Sequence, residues 1–236
     1  MRNFFSIIGG MGTEATESYI HLLNERTDAH YDQEYLNYIL VNHATIPDRT
    51  DYILDHSKPN PLNDLVEDIQ QQNLLKPDFY TLPCNTAHYF YEQLQSVANA
   101  PILHMPKEAV KSIKTSFPNC RNVGLIATQG TIHDHIYDNE IKAMGYNLIR
   151  PTEHVQLETM ELIYKWVKEK NKVNVDLYHN ILDEMTNELD SDVVILGCTE
   201  LSVAQERAGN HDFNVVDAQS VLVDKTIEMA KNKKEL

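Results

Sequence analysis

The sequence predicts an α/β protein of two similar halves, each built on a parallel sheet. Two observations carry this. Short apolar runs alternate with helix-period patterns from one end of the chain to the other. Two landmarks also recur in the same order. Ile8-Gly9-Gly10-Met11-Gly12-Thr13 closes an apolar run and opens a helical pattern, and Ile126-Ala127-Thr128-Gln129-Gly130-Thr131 does the same 118 residues later. Tyr80-Thr81-Leu82-Pro83-Cys84-Asn85-Thr86 is echoed by Val194-Ile195-Leu196-Gly197-Cys198-Thr199, its cysteine 114 residues on. Paired landmarks at one offset are the mark of a duplicated unit.

The elements run in order along the chain. Phe4–Gly9 reads as a buried strand, and Thr13–Asp28 as a helix with Ala15, Tyr19, Leu22 and Leu23 turned inward. Tyr38–Val41 is a strand. Asn63–Leu75 is a helix stopped by Lys76-Pro77. A strand over Phe79–Leu82 leads through Pro83-Cys84-Asn85 into a helix over Thr86–Val97. Ile102–Met105 is a strand, and Lys107–Ser116 a helix. The second half repeats the alternation. Its strands are Asn122–Ala127, Leu148–Ile149, Val193–Leu196 and Val215–Val216. Its helices are Ile132–Met144, Val155–Lys170, Val173–Leu189 and Ser220–Lys231.

Composition narrows the function classes. The chain has 236 residues, 42% of them hydrophobic, enough for one large core or two smaller ones. A formal net charge of −15 repels phosphate backbones and argues against nucleic acid as a partner. No apolar run is long enough to cross a bilayer. The apolar start is too short for a secretory signal, so a cytoplasmic location away from membranes is expected. Three cysteines without a CxxC pair fit free thiols better than disulfides.

Cys84 and Cys198 each follow an apolar strand and precede a helix. In a parallel sheet that is the carboxyl end, where open α/β folds bind ligands. Helix N-termini offer free N–H groups, which favour a thiolate and can also hold a carboxylate. Thr86 and Thr199 add hydroxyls and Asn85 an amide, although threonines there also serve as plain helix caps. A hydrolase needs only one thiol with a histidine partner. A redox pair needs sulfurs that touch. Two thiols in equivalent places favour proton transfer across a substrate. His88, four residues after Cys84, fits a tuning role or, better, a packing role. His133-Asp134-His135 lacks a third ligand nearby, so no metal is expected. Gly9-Gly10-Met11-Gly12 is not a dinucleotide fingerprint.

The segments Ile7–Gly12 (IIGGMG), Val41–Thr50 (VNHATIPDRT), Leu82–Phe90 (LPCNTAHYF) and Ile195–Leu201 (ILGCTEL) together resemble the aspartate/glutamate racemase superfamily, aspartate racemases most of all. The resemblance implies two pseudo-symmetric Rossmann-like three-layer α/β domains with the active site in the cleft between them. It implies residues 1–103 plus 215–236 as the first domain and 104–214 as the second. It further implies a cofactor-free two-base isomerase in which Cys84 and Cys198 are acid and base. Met11, Asn85, Thr86, Thr199 and Glu200 then line or bind the amino-acid substrate, with Arg49 on its distal carboxylate, where a bidentate guanidinium suits. Lys168 resembles a family lysine serving the same carboxylate, with Lys165 as its rival. Two departures are Glu169-Lys170-Asn171 where the family has a nearby glycine, and Gly12-Thr13 in place of Gly-Pro. A homodimer is expected. L- and D-aspartate are the expected substrates. Glutamate or broad specificity, a hydantoin racemase or maleate isomerase relative, and a non-catalytic amino-acid binding protein remain as alternatives.

Overall fold

Phe5–Gly9 (β1) is buried along its whole length, as a strand covered on both faces must be. The coordinates are a computed structural model describing residues 1–209 and 211–234. β1 pairs in parallel with Tyr38–Asn42 (β2) on one side and Tyr80–Thr81 (β3) on the other, in the order β2-β1-β3. A single parallel bridge from Tyr80 to Ile102 extends the sheet by one position. Thr13–Arg26 (α1) follows β1 and turns Ala15, Tyr19 and Leu23 inward. Arg49–Leu54 (α2), Leu62–Asn73 (α3) and Tyr91–Val97 (α4) complete the layers. Ile8, Leu65, Ile69, Tyr80, Phe90 and Leu94 form a core here.

The second sheet has four parallel strands in the order β5-β4-β6-β7: Asn122–Ala127 (β4), Asn147–Ile149 (β5), Val193–Gly197 (β6) and Val215–Asp217 (β7). The two orders correspond. β1 and β4 are both flanked on one side by the next strand in sequence and on the other by the strand that leads to a cysteine. The bridge at Ile102 stands where β7 stands. The helices in chain order are Met105–Ser116 (α5), Gln129–His133 (α6), Asp138–Ala143 (α7), Glu153–Met160 (α8), Val175–Asp183 (α9), Thr199–Ala208 (α10) and Ala218–Lys234 (α11). α8 and α9 each run on into wider i→i+5 turns, over Glu161–Glu169 and Glu184–Glu188. Ile126, Val155, Leu162, Tyr178, Ile181, Val194, Leu196 and Leu201 are fully buried in the second core.

The chain divides into two compact units, Met1–Met105 with the chain from Leu222 onward, and Pro106–Val221. The return is later than the expected residue 215, because β7 pairs with β6 from Val194 to Leu196 and so belongs to the second sheet. Residues 210, 235 and 236 of the expected domain spans lie outside the described residues. α11 is tied to the first unit through Tyr19. The buried Tyr19 hydroxyl lies 2.7 Å from Thr226 Oγ1 and 3.1 Å from Thr81 Oγ1. Arg26 Nη1 also donates to Asp224 Oδ1 at 2.9 Å.

Three local expectations are corrected. The helix expected over Ile132–Met144 is broken, because His135 takes φ +59° and separates α6 from α7. The strand expected over Ile102–Met105 shrinks to one bridge, since α5 already begins at Met105. The helix expected from Thr86 opens as a tighter 3₁₀ stretch, Thr86–Phe90, before α4. α2 went unpredicted. Asp48 caps it, its side chain accepting from the Thr50 and Asp51 N–H groups at 2.8 and 3.1 Å.

Candidate active site

In the first unit the turn after β1 explains its glycines. Gly10 has φ +93°, and a Cβ there would stand 2.5–2.7 Å from the His43 backbone. The Gly10 N–H donates to Thr16 Oγ1 at 3.0 Å, and that hydroxyl donates to the Gly12 carbonyl at 2.9 Å. Met11 sits buried in this turn, and Arg49 reaches it: Nη2 donates to the Met11 carbonyl at 3.1 Å, and Nη1 to the Pro47 carbonyl at 3.2 Å. Arg49 is itself buried, at the first position of α2. Met11 and Arg49 are both expected at the substrate, but their direct contact leaves no mark in the sequence.

Cys84 follows β3 and is buried with Asn85 and Thr86. The Cys84 segment is held through its backbone. His88 Nδ1 lies 2.9 Å from the Cys84 carbonyl, and the Met105 N–H donates to His88 Nε2 at 3.0 Å. An N–H can only donate, so Nε2 is the bare nitrogen and Nδ1 carries the proton. The 3.4 Å approach of Nε2 to the Leu103 carbonyl is then a contact, not a hydrogen bond. Burial, helped by neighbouring His104, brings the His88 pKa down to about 4. Of the two roles weighed for His88, the structure shows the packing one. Nearby in sequence to Arg49, His43 Nδ1 lies 2.9 Å from Asp68 Oδ2; burial raises the Asp68 pKa. This pair spans 25 residues and left no signal in the sequence.

In the second unit Cys198 follows β6 and immediately precedes α10. Cys198, Thr199 and Glu200 are all buried. The Cys198 thiol donates to Glu200 Oε2 at 2.9 Å, and the Thr199 hydroxyl donates to the same oxygen at 3.3 Å. Lys168 Nζ stands 3.9 Å from Glu200 Oε1 and 4.1 Å from the centre of the Tyr164 ring. Lys165 points elsewhere. It is half exposed and pairs with Glu161 at 2.6 Å. Of the two rival lysines, Lys168 is the one beside the Cys198 segment.

A helix N-terminus was expected to favour the Cys198 thiolate. The balance runs the other way: burial and the Glu200 carboxylate push the Cys198 pKa well up, outweighing Lys168 and the Glu200 backbone N–H. Tyr137 is fully buried, and burial, with Asp217 and Cys198 adding to it, pushes its pKa well up; nothing in the sequence singles it out. Cys120 is partly buried, its thiol 3.7 Å from the Asn122 carbonyl at the start of β4, the amino end of that strand. His135, in the discounted histidine pair, lies 3.0 Å from Asp138, which Arg150 also engages.

Each unit therefore carries a buried thiol at the carboxyl end of a parallel strand, with a cation in the same unit. A comparison with known families decides what this pattern belongs to. Residues 8–226 match the family model described as Asp/Glu/Hydantoin racemase. The chain belongs to that family. Among its relatives is the broad specificity amino-acid racemase RacX of Bacillus subtilis, 25% identical over 94% of this chain and 95% of that protein. Among solved structures, the aspartate racemase of Picrophilus torridus superposes with a TM-score of 0.82 at 27% identity, covering 97% of this chain and 94% of that one. The glutamate racemase of Francisella tularensis in complex with D-glutamate superposes with a TM-score of 0.65 at 15% identity, covering 99% and 82%. That last likeness is one of fold.

Proposed function

We propose that this chain interconverts L- and D-aspartate without a cofactor, with Cys84 and Cys198 working on opposite faces of the substrate Cα. The observation that carries this reading is the placement of Cys84 and Cys198. They follow β3 and β6, strands with the same place beside β1 and β4 in their two sheets. One thiolate removes the Cα proton and the other thiol delivers a proton, so configuration inverts. General acid–base groups of this kind each supply about 10²–10⁴-fold in rate.

The remaining residues divide the substrate between them. Thr86 and Asn85 in one unit, and Thr199 with the first N–H groups of α10 in the other, bind the amino-acid head. Their hydrogen bonds stabilise charge that moves onto the α-carboxylate as the proton leaves. Arg49 and Lys168 are cations suited to a distal carboxylate, which favours an acidic substrate over a neutral one. Arg49 would turn from its backbone carbonyls to a bidentate contact.

The second reading is broader amino-acid specificity. It is favoured by the likeness to RacX over nearly the whole chain. The test is to incubate the purified protein with L-Asp, L-Glu and L-Ala separately, without added pyridoxal phosphate, and resolve the products by chiral chromatography. The expected result is D-Asp formed fastest, unaffected by prior treatment with hydroxylamine. Equal rates on L-Ala would replace the aspartate reading with the broader one. Loss of activity on hydroxylamine treatment would contradict the cofactor-free mechanism.

A further inference from the structure

Glu200 is an expensive residue to bury. A carboxylate taken out of water costs several kcal/mol unless it is paired and hydrogen-bonded. A first-turn glutamate on α10 would be favoured by the helix dipole with its head in water. Instead the side chain folds back over the helix start, and its Oε2 accepts the Cys198 S–H at 2.9 Å and the Thr199 O–H at 3.3 Å. Lys168 faces the other oxygen at 3.9 Å. Three groups thus meet one carboxylate, and one of them is the sulfur proposed to react.

We propose that Glu200 is the proton partner of Cys198 rather than a substrate contact: it takes the thiol proton when Cys198 serves as base and returns it when Cys198 serves as acid. This rests on the two-thiol reading above. The protons balance over the cycle. For the enantiomer whose Cα–H faces Cys198, the S–H bond breaks and its proton forms O–H on Glu200 Oε2, leaving a thiolate. The thiolate takes the Cα proton, and the carbanion is protonated by the Cys84 thiol. The enzyme is left with Cys198 thiol, neutral Glu200 and Cys84 thiolate. The opposite enantiomer gives its Cα proton to Cys84 and takes one from Cys198. Glu200 then re-protonates Cys198 and becomes a carboxylate again. No proton is gained or lost over the two turns, and for repeated turns in one direction water returns a proton to the Cys84 thiolate and takes one from Glu200. Lys168 holds the charge of the ionised carboxylate and loses that partner when the proton arrives.

The groups facing Cys198 set its titration. Burial raises it most, Glu200 from α10 raises it further, Lys168 from the extension of α8 lowers it, and Tyr137, ahead of α7, is buried in the same unit. With Glu200 in place the thiol ionises above the ordinary cysteine value of about 8.5.

The test uses Glu200→Gln, which is isosteric and neutral, and Glu200→Asp, which restores a carboxylate on a shorter arm. Iodoacetamide alkylation of Cys198 is followed against pH in a Cys84→Ser, Cys120→Ser background, where no substrate is needed. The midpoint is expected to fall by about a unit or more in Glu200→Gln, since the anionic neighbour is gone, and to stay high in Glu200→Asp. In the otherwise native enzyme, Glu200→Gln is expected to lower kcat about 10²-fold with KM changed less than about threefold, as for a lost proton-transfer group, and Glu200→Asp to recover part of it. A raised KM with kcat intact would return Glu200 to substrate binding and overturn the proposal, as would an unmoved alkylation midpoint in a folded Glu200→Gln protein. Failure of the native enzyme to racemise any amino acid would remove the two-thiol reading and the catalytic role together, while the alkylation profile would still judge the proton coupling.

Discussion

The two cysteine segments hold the same place in sheets of the same strand order, yet they are built differently. Cys84 is fixed by its main chain. Its carbonyl meets His88 Nδ1, and His88 is pinned by the Met105 N–H. Cys198 is fixed by its sulfur, which donates to Glu200. The chain beyond each cysteine differs too: a 3₁₀ stretch after Cys84, a ten-residue α-helix after Cys198. A pseudo-symmetric fold therefore carries an asymmetric pair of thiols.

The largest effect should come from the thiols themselves. Cys84→Ser and Cys198→Ser are each expected to lower the initial racemisation rate of L-Asp about 10²–10⁴-fold, read by chiral chromatography. Cys120→Ser should leave it within about twofold. Equal loss in the first two variants keeps the symmetric role; a native rate in either breaks it.

The cations come next. Arg49→Lys keeps the charge but loses the planar fork and its contacts to Met11 and Pro47. A charged hydrogen bond is worth about 1.5–3 kcal/mol, so kcat/KM for aspartate should fall about 10–100-fold. Lys168→Ala should act in the same direction and Lys165→Ala hardly at all, since Lys165 is half exposed and pairs with Glu161. A larger effect at Lys165 would reverse that assignment.

The smallest effect, and the one that isolates the Cys84 segment, concerns His88. Its folded pKa of about 4 lies below the ordinary histidine value of about 6.5. The unfolded chain takes up the proton first, so this histidine's contribution is whole above about pH 6.5 and is lost as pH falls from there through about 4. The loss amounts to a few kcal/mol at most. Urea unfolding at pH 7 and pH 5 should show a smaller acid-side drop in His88→Phe than in the native protein, from a lower starting stability at pH 7. An unchanged acid slope would mean His88 is not held neutral.

Much of this was legible in the sequence because local pattern and tertiary role agree. The strands around Ile7, Ile126 and Ile195 are buried on both faces, so they stand out as unbroken apolar runs. Gly10 is where it is because only glycine fits against His43. The break at His135 was hidden, since a positive φ at a histidine has no signature in the apolar pattern. α2 was hidden by its length of six residues, too short for a period to show. The sense of the Cys198 titration was misjudged for a related reason. The helix start is visible in sequence, whereas the turning of Glu200 back onto the sulfur is a rotamer choice made by packing.

The central claim is that two groups, not one, handle the Cα proton. It is tested by running L-Asp with the native enzyme in D2O and stopping early. Mass spectrometry then follows Cα deuterium separately in the recovered L-Asp and the newly formed D-Asp. With separate acid and base, the account predicts that D-Asp carries solvent deuterium almost completely while the remaining L-Asp carries almost none. Deuterium entering recovered L-Asp as fast as D-Asp, or D-Asp keeping its original proton, would contradict it.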